Sequence, residues 1–229
     1  MSRIKDKGDT HPILSAGNLA DVPDAPSDRR AATSVPIHPD LAARWSPRAF
    51  DPQAIITGEQ LTAVLEAARW AATWGHRQPV RFVVGSRDDE TFTTLAGLLK
   101  RGNGYAHAAG ALILVCADEG EDDRTALYAA VDAGAAIAQL TVEAVSRGLI
   151  AHPMAGFDVD GARAAFAIPD GVRPLAVVAL GTLGDYATVD DAIAERDGRP
   201  RERLPLDEIA FTGRWGNPAE LISTTPQER

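Results

Sequence analysis

Asp123-Arg124-Thr125-Ala126-Leu127-Tyr128-Ala129-Ala130-Val131-Asp132-Ala133-Gly134-Ala135-Ala136-Ile137-Ala138-Gln139-Leu140-Thr141-Val142-Glu143-Ala144-Val145-Ser146-Arg147 is the longest helical pattern in the chain. Leu127, Val131, Ile137, Leu140 and Val145 are among its apolar positions, and the apolar surface extends around much of the circumference. Gly134, Ala135, Ala136 and Ala138 are small enough for another helix to approach closely. A helix of this kind is central to a core or to a dimer interface, and this one is expected to serve both. Gly148 stops it. The acidic stretch from Glu119 to Asp123 reads as a solvated turn whose charge complements the helix N-terminus.

Working outward, the apolar run Ala111 to Cys116 precedes that helix as a buried strand, and Leu149 to His152 begins another strand after it. Asp158 caps a short helix ending before Pro169, and Pro174 to Gly181 is a second strongly buried strand. Upstream, Thr57 with Gln60 three residues later makes a capping-box signature, and Leu61, Val64, Leu65 and Ala68 follow at helical spacing. Trp74-Gly75 breaks that pattern, and Arg81 to Val84 reads as a short strand after Gln78-Pro79. A helix from about Glu90 to Arg101 turns Phe92, Leu95, Leu98 and Leu99 inward. Residues 1–35, rich in Pro, Asp, Ser and Ala, read as an extended or disordered arm, residues 36–217 as the folded domain and residues 218–229 as a tail. After Gly184 the chain is polar, punctuated by proline, and expected to run as an arm, with Trp215 packing it against the body or a partner.

At 229 residues, 45% hydrophobic and 24% charged, the chain suits one globular domain with a substantial core. A net charge of -9 argues against a nucleic-acid surface, which needs a basic face to displace phosphate counterions. Cys116, the single cysteine, has no internal partner and sits in a strand. No apolar run approaches bilayer-spanning length and the first residues lack a signal peptide's apolar core, so a cytoplasmic protein with no membrane partner is expected. The glycine fingerprints of dinucleotide and nucleoside triphosphate sites are absent, and His11, His38, His76, His107 and His152 are scattered without metal-ligand spacing, so no metal site is expected.

Against that acidic background, Arg44-Trp45-Ser46-Pro47-Arg48-Ala49-Phe50 concentrates two arginines and a hydroxyl. Arginine's fork holds phosphate oxygens bidentately, and serine adds a donor at another angle. Arg201 and Arg203 form a second basic pair near the far end. Either these arginines are scattered over a solvated surface, or the fold brings the two clusters together as a phosphate clamp.

Several blocks in order resemble the FMN-dependent nitroreductase family. Arg44 to Asp51 looks like the family's N-terminal Arg-x-Ser-x-Arg/Lys-x-Phe motif. Leu65 to Ala71, then Gln78-Pro79 and Arg81-Phe82, resembles the helix and flavin loop that follow it. His152-Pro153-Met154-Ala155-Gly156-Phe157-Asp158, with Ile168-Pro169 and Pro174 to Gly181, resembles the Gly-Phe-Asp block and final strand, and Arg201-x-Arg203-x-Pro205-Leu206 with Gly213 to Gly216 resembles the closing segment. The likeness spans residues 38–217. It implies an α+β three-layer sandwich, with a central mostly antiparallel sheet flanked by helices, forming an intertwined homodimer with flavin pockets at the subunit interface.

The resemblance further implies that Arg44, Ser46, Arg201 and Arg203, with Trp45 among them, hold the FMN phosphate, and that Arg48 lies nearer the pyrimidine edge of the ring, where a cation favours reduction. It puts Gln78 near the ring or ribityl chain, Asn103 near the pyrimidine edge, and the backbone of Pro153, Met154, Ala155 and Gly156 along the ring near its reactive nitrogen. His76 and Val80 replace the asparagine and tryptophan common in the family's loop. His76 either touches flavin or substrate or points to solvent. Trp74, Tyr105 and His152 are candidate walls of the acceptor pocket, with His107 beside Tyr105. The implied activity is an FMN oxidoreductase that takes hydride from NADH or NADPH and passes it to a quinone, nitroaromatic or similar acceptor in alternating half-reactions. The alternatives are a biosynthetic flavin dehydrogenase or oxidase, possibly binding deazaflavin, and a non-catalytic flavin-binding dimer.

Overall fold

Helix ends in this protein are closed by the residues whose chemistry announces them. A computed structural model describes residues 29–219; the expected arm lies mostly, and the expected tail almost wholly, outside the described residues. After the short α1 (Pro39–Ala43), α2 (Gly58–Arg69) opens with a complete capping box. Thr57 Oγ1 accepts the Gln60 N–H at 3.1 Å while Gln60 Oε1 accepts the Thr57 N–H at 3.0 Å.

Four strands follow: β1 (Val80–Ser86), β2 (Ala111–Asp118), β3 (Ile150–Met154) and β4 (Val172–Gly181). They form one sheet in the order β1-β2-β4-β3, with every pairing antiparallel. Because side chains alternate along a strand, β2, buried on both faces, reads as an unbroken apolar run. Ile113 and Val115 pack with Val64 and Ala68 of α2 and with Ala133, Ala136 and Leu140 of α4 (Asp123–Ser146). Leu112, Leu114 and Cys116 face the other way, onto Phe92 and Leu95 of α3 (Glu90–Gly97), Ala106, and Ala162 of α5 (Val159–Ala165). The result is the expected three-layer α+β sandwich. Burial pushes the Cys116 thiol up to about 11, as befits a packed strand residue.

Asp122 caps α4 by accepting the Thr125 N–H at 2.8 Å. The other end closes in a Schellman motif: Leu149 N–H donates to the Ala144 carbonyl at 2.8 Å and Gly148 N–H to Val145 at 2.9 Å. Gly148 sits at φ +70°, where a side chain would be strained. Contrary to the sequence expectation, α4 is by length and composition apolar enough to cross a membrane. Its inner face is committed elsewhere, with Ala129, Ala133, Ala136, Leu140 and Ala144 buried against the sheet and α2, and with Asp132 buried among them. Its outer face carries Leu127, 61% exposed, and Val131, 57% exposed, followed by exposed Gly134 and Ala138.

Two expectations on element boundaries are corrected. The helix read as 90–101 ends at Gly97, and a 3₁₀ helix, Arg101–Ala108, follows. The Lys100 N–H turns to the Gly156 carbonyl at 3.0 Å instead of closing another helical turn, and Gly102 and Gly104 are poor helix formers. The polar stretch after Gly184, read as an arm, contains α6 (Asp191–Gly198), whose Asp197 is buried against Arg48. Trp215, by contrast, is 93% exposed and its ring meets that of neighbouring Phe211 instead of the body.

Candidate functional site

The fold brings the two arginine clusters together. Arg44 ends α1, with its Nη1 donating to Ser46 Oγ at 3.3 Å. Arg201 reaches across 157 residues of sequence: its Nη2 donates to the Arg44 carbonyl at 2.9 Å and its Nη1 to the carbonyls of Ala42, at 3.3 Å, and Arg29. Burial, then the charge of Arg203, lowers the Arg44 pKa; burial, then Arg44, Arg203 and Arg29, lowers that of Arg201. Among the described residues no carboxylate lies within ion-pair distance of Arg29, Arg44, Arg201 or Arg203. Four like charges held together with no carboxylate partner among the described residues favour an anion beside them.

Roles within the cluster are unequal. Arg201 directs its fork at three backbone carbonyls, so it clamps the segment carrying Arg44 and adds charge, whereas Arg44 and the exposed Arg203 keep donors for a ligand. Arg29 was missed in the sequence because it falls in the stretch read as an arm. Its guanidinium lies 4.7 Å from the Trp45 ring centroid, its Nη2 donates to the Arg199 carbonyl, and the chain just beyond is tied down by Ala31 N–H to Ala42 carbonyl at 2.8 Å.

Arg48 lies deeper and is not a free cation. Its Nη1 donates to Asp197 Oδ1 at 2.7 Å and its backbone N–H to Asp197 Oδ2 at 2.6 Å; the Tyr186 hydroxyl donates to the same Oδ2 at 2.9 Å. Burial, then the hydrogen bond and charge of Asp197, raises the Tyr186 pKa. The Arg48 guanidinium stands 5.8 Å from the centroid of Tyr105, and burial pushes that phenol up to about 12. Both residues line a cleft of about 260 Å³ with Phe50, His107, Asp190 and Ile193.

Behind this cleft His152, on β3, holds the Pro47 carbonyl through Nδ1 at 2.9 Å and lies 5.1 Å from the Tyr105 ring; burial lowers its pKa, which favours the neutral ring. Asn103 Nδ2 donates to the Gly156 carbonyl at 2.8 Å and its Oδ1 accepts from Tyr105 at 3.4 Å, so this amide braces the Gly156 turn. A Cβ on Gly156 would stand 2.7 Å from Asn103 Nδ2. Met154 is buried, leaving backbone from Pro153 to Gly156 as the part of this block that a ligand can meet.

The loop with Trp74, His76 and Gln78 stands elsewhere. Trp74 N–H donates to both carboxylate oxygens of buried Asp132, at 3.0 and 3.1 Å. The Trp74 ring stacks on Tyr128 at 4.9 Å, and Arg124 lies 5.1 Å from its centroid, while His76 and Gln78 are exposed. This loop leads into β1, one edge of the sheet, whereas Pro47, the residue before Arg48, is held through its carbonyl by His152 on β3, the other edge. Three strand spacings, about 15 Å, separate the two edges. One chain therefore assembles the arginines, Tyr105, Asn103, His152 and Gly156, but not the loop. A larger cleft, about 670 Å³, opens elsewhere between Arg77, Asp118, Asp122 and Asp170, and its arginine is already paired with Asp118 at 3.7 Å.

Comparison with known proteins identifies the family and the fold. The model of the Nitroreductase family matches residues 41–102 and 94–182. An oxidoreductase containing FMN, known from its crystal structure, is 36% identical, covering 83% of this chain and 98% of its own with a TM-score of 0.76. An uncharacterised 15.4 kDa protein from the ask 5′ region of Mycolicibacterium smegmatis is 78% identical over 147 residues, 61% of this chain and 99% of its own. A protein from Exiguobacterium sibiricum 255-15, crystallised in complex with FMN, shares the fold at 22% identity and a TM-score of 0.64, covering 79% of this chain and 99% of its own.

Proposed function

This chain belongs to the nitroreductase family, and from that premise we propose that it is an FMN-dependent oxidoreductase passing electrons from NADH or NADPH to a small conjugated acceptor such as a quinone or nitroaromatic. The observation that carries the reading is the convergence of Arg29, Arg44, Arg201 and Arg203 without a carboxylate partner among the described residues. The residues suit the cofactor: guanidiniums and the Ser46 hydroxyl suit its phosphate, the buried Nε atoms of Arg29 and Arg48 have no partner among the described residues, and Gly156 keeps open a space that a Cβ would fill. FMN, when bound, supplies the hydride chemistry, accepting from the nicotinamide and donating to the acceptor in alternation.

The chain's own residues bind and orient. Arg44, Ser46 and Arg203 hold the phosphate, with Trp45 supporting Arg29 beside them. Arg48 presents its guanidinium at the cleft, Asn103 shapes the Gly156 turn, and His152 fixes the Pro47 carbonyl between the two arginines. Tyr105, a neutral phenol, walls the cleft.

Trp74, His76 and Gln78 complete the site from a second copy of the chain. The unpartnered Leu127–Val131–Gly134–Ala138 stripe of α4 supports that homodimer, since it is apolar, narrow in side chain and exposed.

The visible spectrum of the purified protein, repeated anaerobically after adding NADH and then NADPH, tests the function. Flavin bands that bleach establish the reductive half-reaction. A stable yellow protein would point to a biosynthetic or storage role, and a colourless protein that FMN does not reconstitute would overturn the reading.

A further inference from the structure

Asp197 is a buried carboxylate at the centre of the site, 3% exposed, and binding and orienting a flavin does not by itself require it. It lies 149 residues from Arg48 and beyond the stretch that the family model matches. Three donors converge on it: Arg48 Nη1 at 2.7 Å, the Arg48 backbone N–H at 2.6 Å and the Tyr186 hydroxyl at 2.9 Å. The carboxylate thus bridges the backbone and the side chain of Arg48, and the guanidinium leaves only by breaking its charge-assisted bond to Oδ1. The same contact opposes its charge. Arg48 still lines the cleft and its side chain is 22% exposed, so the guanidinium remains within reach of a ligand there.

We propose that Asp197 is a positioning residue that sets the electron affinity of the bound flavin by holding Arg48 in place while cancelling most of its charge. The inference rests on the FMN function proposed above. Reduction places negative charge on the pyrimidine side of the ring. A lone arginine would favour that charge strongly, whereas an arginine paired to a buried carboxylate supplies hydrogen bonds with little net field. The flavin is thereby kept harder to reduce than the arginine-rich surroundings suggest, and so remains a stronger donor to the acceptor.

The test is the reduction potential of FMN in the native protein, Asp197→Asn, Arg48→Ala and the double variant, titrated anaerobically against reference dyes. Asp197→Asn is expected to raise the ratio of reduced to oxidised flavin at fixed potential at least tenfold, about 30 mV for a two-electron couple. Arg48→Ala is expected to lower it, and in that background Asp197→Asn should have a much smaller effect, because a carboxylate this deeply buried takes up a proton once its cationic partner is gone. An unchanged or lower ratio in Asp197→Asn, or an equal shift with Arg48 absent, would overturn the proposal.

Should Asp197→Asn not fold, Tyr186→Phe carries the test. Removing the phenol leaves the carboxylate more fully committed to Arg48, so the ratio should fall; no change or a rise would overturn the idea. A native protein that takes up no flavin would overturn the proposed function and this inference with it, whereas a flavin-loaded protein indifferent to these changes would overturn the inference alone.

Discussion

Replacing Arg201 by lysine preserves the charge of the arginine cluster and removes only the fork. In the native protein that fork reaches the carbonyls of Arg29, Ala42 and Arg44 at once. A lysine ammonium is a single point at the end of a flexible stem and can serve one of these carbonyls, leaving two without their charged donor. A hydrogen bond from a charged group contributes about 1.5–3 kcal/mol, and because Arg201 is only half-buried the lower value applies, giving a loss of about 3 kcal/mol. For a domain of this size that lowers Tm by roughly 6–12 °C. Repulsion from Arg44 and Arg203 is the same in both proteins, so the difference reports the clamp.

Urea unfolding at matched protein concentration measures the stability, and fluorescence titration with FMN measures the phosphate site. The clamp predicts that affinity falls by about tenfold, through loosened Arg44, alongside the loss of stability. An Arg201→Lys protein within about 0.5 kcal/mol of native would refute the reasoning. A large loss of affinity with stability intact would make Arg201 a direct phosphate ligand, as its place in the sequence suggests.

Gly156→Ala should weaken FMN binding and cost about 1–3 kcal/mol of stability, since the new Cβ, 2.7 Å from Asn103 Nδ2, forces that amide off the Gly156 carbonyl; a flavin titration and a melting curve check it. Burial holds the His152 pKa below the ordinary 6.5, so as pH falls below that value the unfolded chain takes up a proton that the folded chain refuses. Its contribution is therefore fully present above 6.5 and declines as pH drops toward the folded value. His152→Asn, whose amide can still donate to the Pro47 carbonyl, should flatten the stability profile between about pH 7 and pH 5, measured by denaturant unfolding. Val131→Glu, on the exposed stripe of α4, should leave the chain folded but monomeric in sedimentation, with FMN affinity reduced because the loop from the second copy is lost; an intact dimer would place the interface elsewhere.

The features legible from the residues alone were local. Thr57 with Gln60, Asp122 with Thr125, and Gly148 each close a helix end through bonds within a few residues, and the apolar run from Ala111 could only be a strand buried on both faces. The ordered motifs around Arg44, Gln78, Gly156 and Arg201 were enough to indicate the family. Where the readings departed from the structure, a distant partner intervened. Lys100 stops a helix by bonding to Gly156, and the polar stretch after Gly184 becomes a helix whose Asp197 is buried on Arg48.

Which arginine keeps donors for an anion, which clamps backbone and which is neutralised emerges only from the folded chain. Arg44, Arg48 and Arg201 are alike as residues, and nothing in their spacing distinguishes them. The roles of Arg48 and Arg201 follow from acceptors 149 to 172 residues away. The placement of Trp74, His76 and Gln78 across the sheet from those arginines is likewise a matter of strand order. Periodicity reports which face of an element is apolar, because burial repeats with the backbone; a single charge pair has no period, and its partner is chosen only when the chain has closed around it.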